Sequence, residues 1–453
     1  MSMQRRRGEQ QAEMWIATSD LMRSPGHPFY DRLNKVLAEV GFDRHVESLC
    51  EKFYSKGDGR PSIPPGTYAR MLFIGFFEGI DSERGIAWRC SDSLSLRGFL
   101  GFAMSQATPD HSSLSRIRQR IDVETHQAVF TFVLKVLNEK GLLPGKTVGI
   151  DSTSLEANAA LKSIVRRDDG TKYDEFLTAL AKESGIETPT REDLAKLDRK
   201  REKKGSNADW KHPHDPEAKI TKMKDGSTHL AHKAEHAVDM ESGAVIAVTI
   251  QDAVAGDTTS MLETMKTSLE NVVSIVQMSS GDAVIESPTE WVGDKGYHSN
   301  DTMEVIAEIG ARSYVSEPKR GKRRWHGRDA ARDATYGNRR RLRGDRGRAL
   351  MRKRGELIER SFAHCLETGG MRRTHLRGQE NILKRYLVHV AGFNLSLVMR
   401  PIFGVGKPRG LQGRLAGVCA ELRRLAAALW MLVELMIVDQ TRPASRVELR
   451  SAA

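Results

Sequence analysis

Thr147-Val-Gly-Ile-Asp151-Ser-Thr153 and Trp291-Val-Gly-Asp294-Lys-Gly-Tyr297 are short apolar runs that each end on an aspartate. Their length and β-branched content predict buried strands. A third acid, Glu359, lies in the helix-like Leu357-Ile-Glu-Arg-Ser-Phe362. Two strand-end carboxylates and one helix carboxylate can hold a pair of Mg²⁺ ions about 4 Å apart against a phosphodiester. Carboxylates suit this task because Mg²⁺ disfavours nitrogen and sulfur ligands. Taken singly each acid carries little weight, since a strand-ending Asp is often a cap or turn residue.

The pattern around these runs orders the elements. Thr228 to Val238 and Ala244 to Thr249 read as hairpin strands joined at Glu241-Ser-Gly243. Thr258 to Val276 reads as an amphipathic helix, Asn300 to Ile309 as another, and Arg312 to Val315 as a short strand. Glu356 to Leu366 reads as the helix bearing Glu359, with Ile358, Phe362 and Leu366 on its core face. In a mixed sheet of this order the first and fourth strands can lie side by side, bringing Asp151 to Asp294. Residues 1–140 read as mostly helical, with helices over 29–40 and 68–77 and a capped, basic start at Pro109 to Arg118. They suit a DNA-end-binding domain or a dimerisation domain equally. Residues 161 to about 225 read as a charged insertion with helical pieces, and 401–453 as a helical tail.

Composition narrows the partners. The 453 residues are 39% hydrophobic and 29% charged, enough for two or three domains with a real core. Cys50, Cys90, Cys365 and Cys419 are too scattered for a disulfide framework or a cysteine zinc site. No apolar leader is visible, and the run Leu425 to Val438 is short and broken by Glu434. It reads as a packed C-terminal helix, with a subunit contact as a second use. A soluble cytoplasmic protein with no membrane partner is expected. The net charge is +12, but residues 319–354 hold 16 Lys and Arg against three Asp, a net of +13. The rest of the chain is therefore near −1. This Arg-rich segment lies between Asp294 and Glu359, so a polyanion close to the acids explains it better than a solvated tail. Arg323, Arg324, Arg339, Arg340 and Arg341 are its candidate phosphate contacts, with Lys295 and Arg360 beside the acids.

The chain resembles the bacterial insertion-sequence transposases of the DDE type, nearest to the insertion sequence 5 type and its relatives. The resemblance rests on Asp92 to Gly101, Thr108 to Arg118, Gly149-Ile-Asp-Ser-Thr153, Asp215-Pro-Glu-Ala218 and Lys224-Asp-Gly226. It continues through His232 to Asp239, Gly293-Asp-Lys-Gly-Tyr-His-Ser299, Ile358-Glu-Arg-Ser-Phe362, Arg373 to Gly378 and Asn394-Leu. It implies an α/β chain with a ribonuclease-H-like mixed-sheet catalytic domain over 141–400 behind the helical domain. It implies catalytic and metal-binding roles for Asp151, Asp294 and Glu359, with two Mg²⁺ or Mn²⁺ ions as cofactor. It also implies binding of terminal inverted repeats and target DNA by a homodimer, at the nucleoid. A related nuclease without joining activity and an inactive DNA-binding regulator are the alternatives. Relatives often place Tyr and Arg before the Glu and Lys seven residues after it; here Arg352, Gly355 and Leu366 stand there. Glu356 and Glu367 compete with Glu359, and Asp257 reads equally as a family Asp or a helix cap. His229, His232 and His236 do not share one strand face, which speaks against a zinc site.

Overall fold

In the computed structural model, the described residues are 26–411 apart from 56–61, 201–204, 224–225, 280–284, 320 and 322, with 422–426 and 429–430 of the tail. Seven helices come first: α1 (Pro28–Glu39), α2 (Phe42–Cys50), α3 (Pro65–Glu78), α4 (Glu83–Asp92), α5 (Leu94–Leu100), α6 (His111–Arg120) and α7 (Val123–Glu139). Their starts are set by side-chain caps. Ser82 accepts from Gly85 N, Asp110 from Ser113 N and Asp122 from Thr125 N, satisfying first-turn donors. From Tyr68 to Phe77 every residue of α3 is buried, as expected of a helix with no polar stripe.

The chain then turns to strands. β1 (Thr147–Glu156) is followed by β2 (Val165–Arg166), α8 (Tyr173–Glu183), α9 (Arg191–Lys200), β3 (Trp210–Lys211) and β4 (Lys219–Lys222). β5 (Thr228–Asp239), β6 (Val245–Asp252), α10 (Asp257–Met278), β7 (Glu290–Gly293), α11 (Asn300–Glu308) and β8 (Arg312–Val315) come next. α12 (Asp329–Arg343), α13 (Asp345–Phe362) and α14 (Gln379–Phe403) complete the described elements. The main sheet has the order β4-β5-β1-β7-β8, with β6 also paired to β5. β1, β5 and β6 form an antiparallel meander, while β7 and β8 run parallel to β1. The long β5 serves two partners, β4 on its first residues and β6 on the rest. This is a ribonuclease-H-like core, and the two strands that carry the aspartates, β1 and β7, are adjacent as the element order allows, although β4 makes β7 the fifth strand of the sheet rather than the fourth.

α14 binds the two halves together, packing on α3, α7 and β6. By length and composition the stretch Gln379–Leu411 passes for a membrane span, yet 61% of its apolar window is buried inside the molecule. It is a core helix. The insertion between β1 and β5 keeps its own small core, in which Tyr173 and Phe176 pack edge-on against Trp210.

Three expectations change. The helix bearing Glu359 begins eleven residues earlier than its apolar pattern suggests, at Asp345, and passes into a π turn at Ala363–Glu367. The basic segment, expected as a run of phosphate contacts, is from Asp329 on a helix pair, α12 and α13, whose Arg339 and Arg346 are engaged by Glu317 and Glu290. The described part of the tail is not packed, since Leu422, Leu425, Leu429 and Trp430 are 52–68% exposed. The rest of Leu425 to Val438, Cys419 and the N-terminal 1–25 lie outside the described residues. Cys50, Cys90 and Cys365 are buried free thiols, and burial raises their pKa to about 11, 12 and 12.

Candidate active site

Register builds the site. β1 and β7 pair Thr147 with Glu290, Val148 with Trp291 and Gly149 with Val292. Two residues further along each strand stand Asp151 and Asp294, so the parallel pairing delivers both acids to one place. Asp151 is half-buried. Its Oδ1 accepts from Ser152 N at 2.8 Å, and its Oδ2 takes Arg354 Nη1 of α13 at 2.6 Å. Burial raises the Asp151 pKa, Arg354 pulls it back down, and the neighbouring Asp294 pushes it up again. Asp294 caps the turn that follows it, Oδ1 accepting from Gly296 N at 2.8 Å.

That turn is held from beneath by a buried polar network. Tyr297, in the turn, donates to Glu235 of β5 at 2.7 Å, and Ser260 and Thr264 of α10 donate to the same carboxylate. Glu235 is fully buried, and burial raises its pKa despite these three donors. Lys233, two residues before it on the same strand face, reaches Ser260 Oγ at 2.9 Å and Asp257 Oδ1. A Cβ at Gly296 would fall on the Asp257 carboxylate, which shows how tightly α10 meets the turn. Gly256 rather than Asp257 is the N-cap of α10, and Asp257 is the partner of Lys233.

On the opposite face, α13 lies against β1. Gly149 lets Ile358 approach, since a Cβ there would meet Ile358 Cδ1 and Met240 Sδ. Ser361 on the same helix bonds His236 Nδ1 at 2.8 Å, while Tyr386 bonds Nε2 at 3.0 Å. His236 is paired across the sheet with Asp151. His232 instead meets the buried Asp215 at 3.3 Å and His229 is half-exposed, so the three histidines go separate ways.

The structure brings Asp151 and Asp294 together but not Glu359. Glu359 follows the buried Ile358 and is exposed, while Arg354 lies five residues before it on α13. Five residues rotate a helix by about 140°, so these two side chains leave in different directions. Among the described residues no group of three His, Cys, Asp or Glu could hold a metal ion. The basic candidates divide as well. Arg323 and Arg339 both pair with Glu317, and Arg341 donates to Ser313 O and Oγ at 2.9 Å each. Arg339 and Arg341 thus brace α12 to β8 and the segment after it, and Arg323 ties the preceding loop to the same Glu317. Arg324, Arg340 and Lys295 are exposed, and Arg360 is exposed beside its Glu356 partner. Arg354 as the partner of Asp151 was not foreseen, nor was the network below Tyr297. The signal for the latter was Lys233 and Glu235 alternating with alanines in an otherwise buried strand.

The parallel β1–β7 pair of this ribonuclease-H-like sheet therefore carries Asp151 in mid-strand, five residues before β1 ends at Glu156, and Asp294 just past the end of β7, which corrects the expectation of two strand-ending aspartates. Two family models match the chain: "Transposase domain (DUF772)" over residues 18–120 and "Transposase DDE domain" over 208–395. No curated protein and no solved structure matches. The chain belongs to the insertion-sequence DDE transposases. The second match includes Asp294 and Glu359 and begins after Asp151.

Proposed function

We propose that this chain binds the terminal inverted repeats of an insertion sequence, hydrolyses a phosphodiester to free a 3′-hydroxyl, and directs that hydroxyl at target DNA. The adjacency of Asp151 and Asp294 through the β1–β7 register carries the reading. Their hard oxygens suit a divalent ion, and Asp151 Oδ2 already receives one cation, the Arg354 guanidinium. Asp151 and Asp294 would hold Mg²⁺ or Mn²⁺, with Glu359 as third ligand once the last turn of α13 rotates. The π turn at Ala363–Glu367 lies next to that turn, and such irregularities are frequent at functional sites. A bound pair of ions would supply an activated water or 3′-hydroxyl and a stabilised leaving oxygen.

The remaining roles belong to the chain itself. Arg354 neutralises Asp151 before DNA arrives. The Tyr297–Glu235 bond fixes the turn that aims Asp294. Lys295, Arg324, Arg340 and Arg360 offer exposed cations to phosphates. Residues 1–140 would recognise the element ends, residues 141–400 would carry the chemistry, and 401–453 form a tail. Joining two ends requires two active sites, so a homodimer on DNA is expected, at the bacterial nucleoid.

The test is incubation of purified protein with its element's end DNA and Mg²⁺, scoring nicks and joined products. Asp151→Asn and Glu359→Gln should each lower both by on the order of 10³-fold, matching several kcal/mol of lost charge stabilisation. Full strand transfer by either variant overturns the assignment. One observation favours a second reading, an inactive DNA-binding regulator: Arg354 occupies Asp151, and among the described residues no three acids stand close enough to share a metal ion. End binding with no nick in Mg²⁺ or Mn²⁺ would decide for it, and nicks without joined products would indicate a nuclease.

A further inference from the structure

A cleft of about 580 Å³ opens where the insertion folds back beside the end of β1. Lys162 and Lys172 of the insertion line it together with Arg373 and Arg377 of the loop before α14, and His214 is among the lining residues. Asp174 is the one carboxylate among its described lining residues. The cations are exposed, yet the backbone that carries them is cross-braced. Asp215, fully buried, accepts from Gly378 N at 3.3 Å and meets His232 Nε2 at 3.3 Å. Asn158 donates to His375 O at 3.0 Å, and Thr374 N donates to Glu156 O at 2.9 Å. The insertion, β1 and the 373–378 loop are therefore locked around a preformed basic channel.

Position and shape identify what fits. Four exposed cations spread over a cleft of about 580 Å³, far larger than one small anion, suit a chain of phosphates better than a single anion around which donors would converge. Asn158 lies seven residues past Asp151 and two past the end of β1, so the cleft is at most about 23 Å from the acids at roughly 3.3 Å per residue. That limit is about seven nucleotide steps of 3.4 Å. We propose that this cleft grips the phosphate backbone of the DNA duplex within about seven nucleotides of the bond held at Asp151 and Asp294. The inference rests on the transposase reading above and gives the charged insertion its role, that of a second clamp on the same duplex.

The experiment measures fluorescence anisotropy of the full-length protein on a duplex of about 30 bp and arbitrary sequence, between about 50 and 200 mM salt. Lys162→Ala with Arg377→Ala should weaken binding on the order of tenfold and flatten the log K against log salt slope by about 1.8, or 0.9 per lost contact. Lys162→Arg with Arg377→Lys should restore the slope. Lys146→Ala with Lys266→Ala removes equal charge elsewhere and should leave the slope nearly unchanged. An unchanged slope in the first variant, or an equal loss in the control pair, overturns the cleft while the transposase reading stands. Displacement of the duplex by inorganic phosphate at constant ionic strength also overturns it, making the cleft a small-anion site. If the wild-type protein binds no duplex at all, the transposase reading falls and the cleft with it.

Discussion

Asp151 sits under opposing influences, and their balance explains why Arg354 stands where it does. Burial and the adjacent Asp294 disfavour a charged carboxylate, while the guanidinium at 2.6 Å and the Ser152 N–H at 2.8 Å favour it. Two carboxylates side by side repel unless a cation lies between or beside them. Arg354 supplies that cation, at 15% side-chain exposure where solvent screens it little. Its Nε is buried without a hydrogen-bond partner among the described residues. A divalent ion at Asp151 must compete with this contact. Arg354→Gln is therefore expected to tighten Mn²⁺ binding about tenfold, a modest fraction of the roughly 4 kcal/mol Coulomb energy of a close pair near a surface. Titration calorimetry on the DNA-free protein reads this directly. Weaker binding in the variant would show that the guanidinium helps to organise the metal site rather than occupying it.

At the scale of elements, α13 is the piece whose fit to the sheet decides the site, and two of its neighbouring glycines separate packing from propensity. Gly149→Val would drive a side chain into Met240 and Ile358, forcing α13 off β1, at about 1–3 kcal/mol by the usual cost of overpacking. Gly355→Ala, in the middle of α13, meets nothing within 4 Å and should stabilise by about 0.5–1 kcal/mol. Urea unfolding of both variants checks the pair, and a neutral Gly149→Val would mean that α13 is not docked there. The same helix shows where sequence reading works. β1 and β7 were legible because each opens as an apolar run of strand length, though β1 continues five residues past Asp151 to Glu156, and α10 because its period is helical. α14 was not, since it is buried on nearly all sides and has no exposed polar stripe to reveal a period. The full length of α13 was hidden for the converse reason, as its first three turns are mostly Arg, Lys and Gly. The meeting of Arg354 with Asp151 spans 203 positions and leaves no local trace. Glu359 was legible as a residue type in a motif, but its direction depends on helix rotation, which a motif does not encode.

Across the whole molecule, histidines at the junction of the helical half and the sheet are kept neutral by burial, and this sets how the fold responds to acid. His126 of α7, His236 of β5 and His389 of α14 are 0–2% exposed. Burial is the leading cause in each case. It lowers His126 to about 4 and His236 to about 3, and holds His389 well below its usual value. In the unfolded chain each would take up a proton near pH 6.5. Below that pH the unfolded state binds more protons than the folded one, so stability must fall as pH falls. The contribution is complete above about 6.5 and is lost from there down to the folded values of about 4 and 3. Each histidine adds a slope of up to about 1.4 kcal/mol per pH unit. Asp151 and Glu235 act with the opposite sign, because their raised pKa values let the folded state take up protons first. Total acid sensitivity therefore mixes both, and a difference between variants isolates one group. His236→Gln can still serve Ser361 and Tyr386, the two partners of His236, but cannot titrate. Its unfolding free energy should fall less steeply than that of the wild type between pH 6 and 5, by about 1 kcal/mol per unit. Denaturant titrations at the two pH values measure the difference, and identical slopes would mean that His236 is already charged in the folded protein.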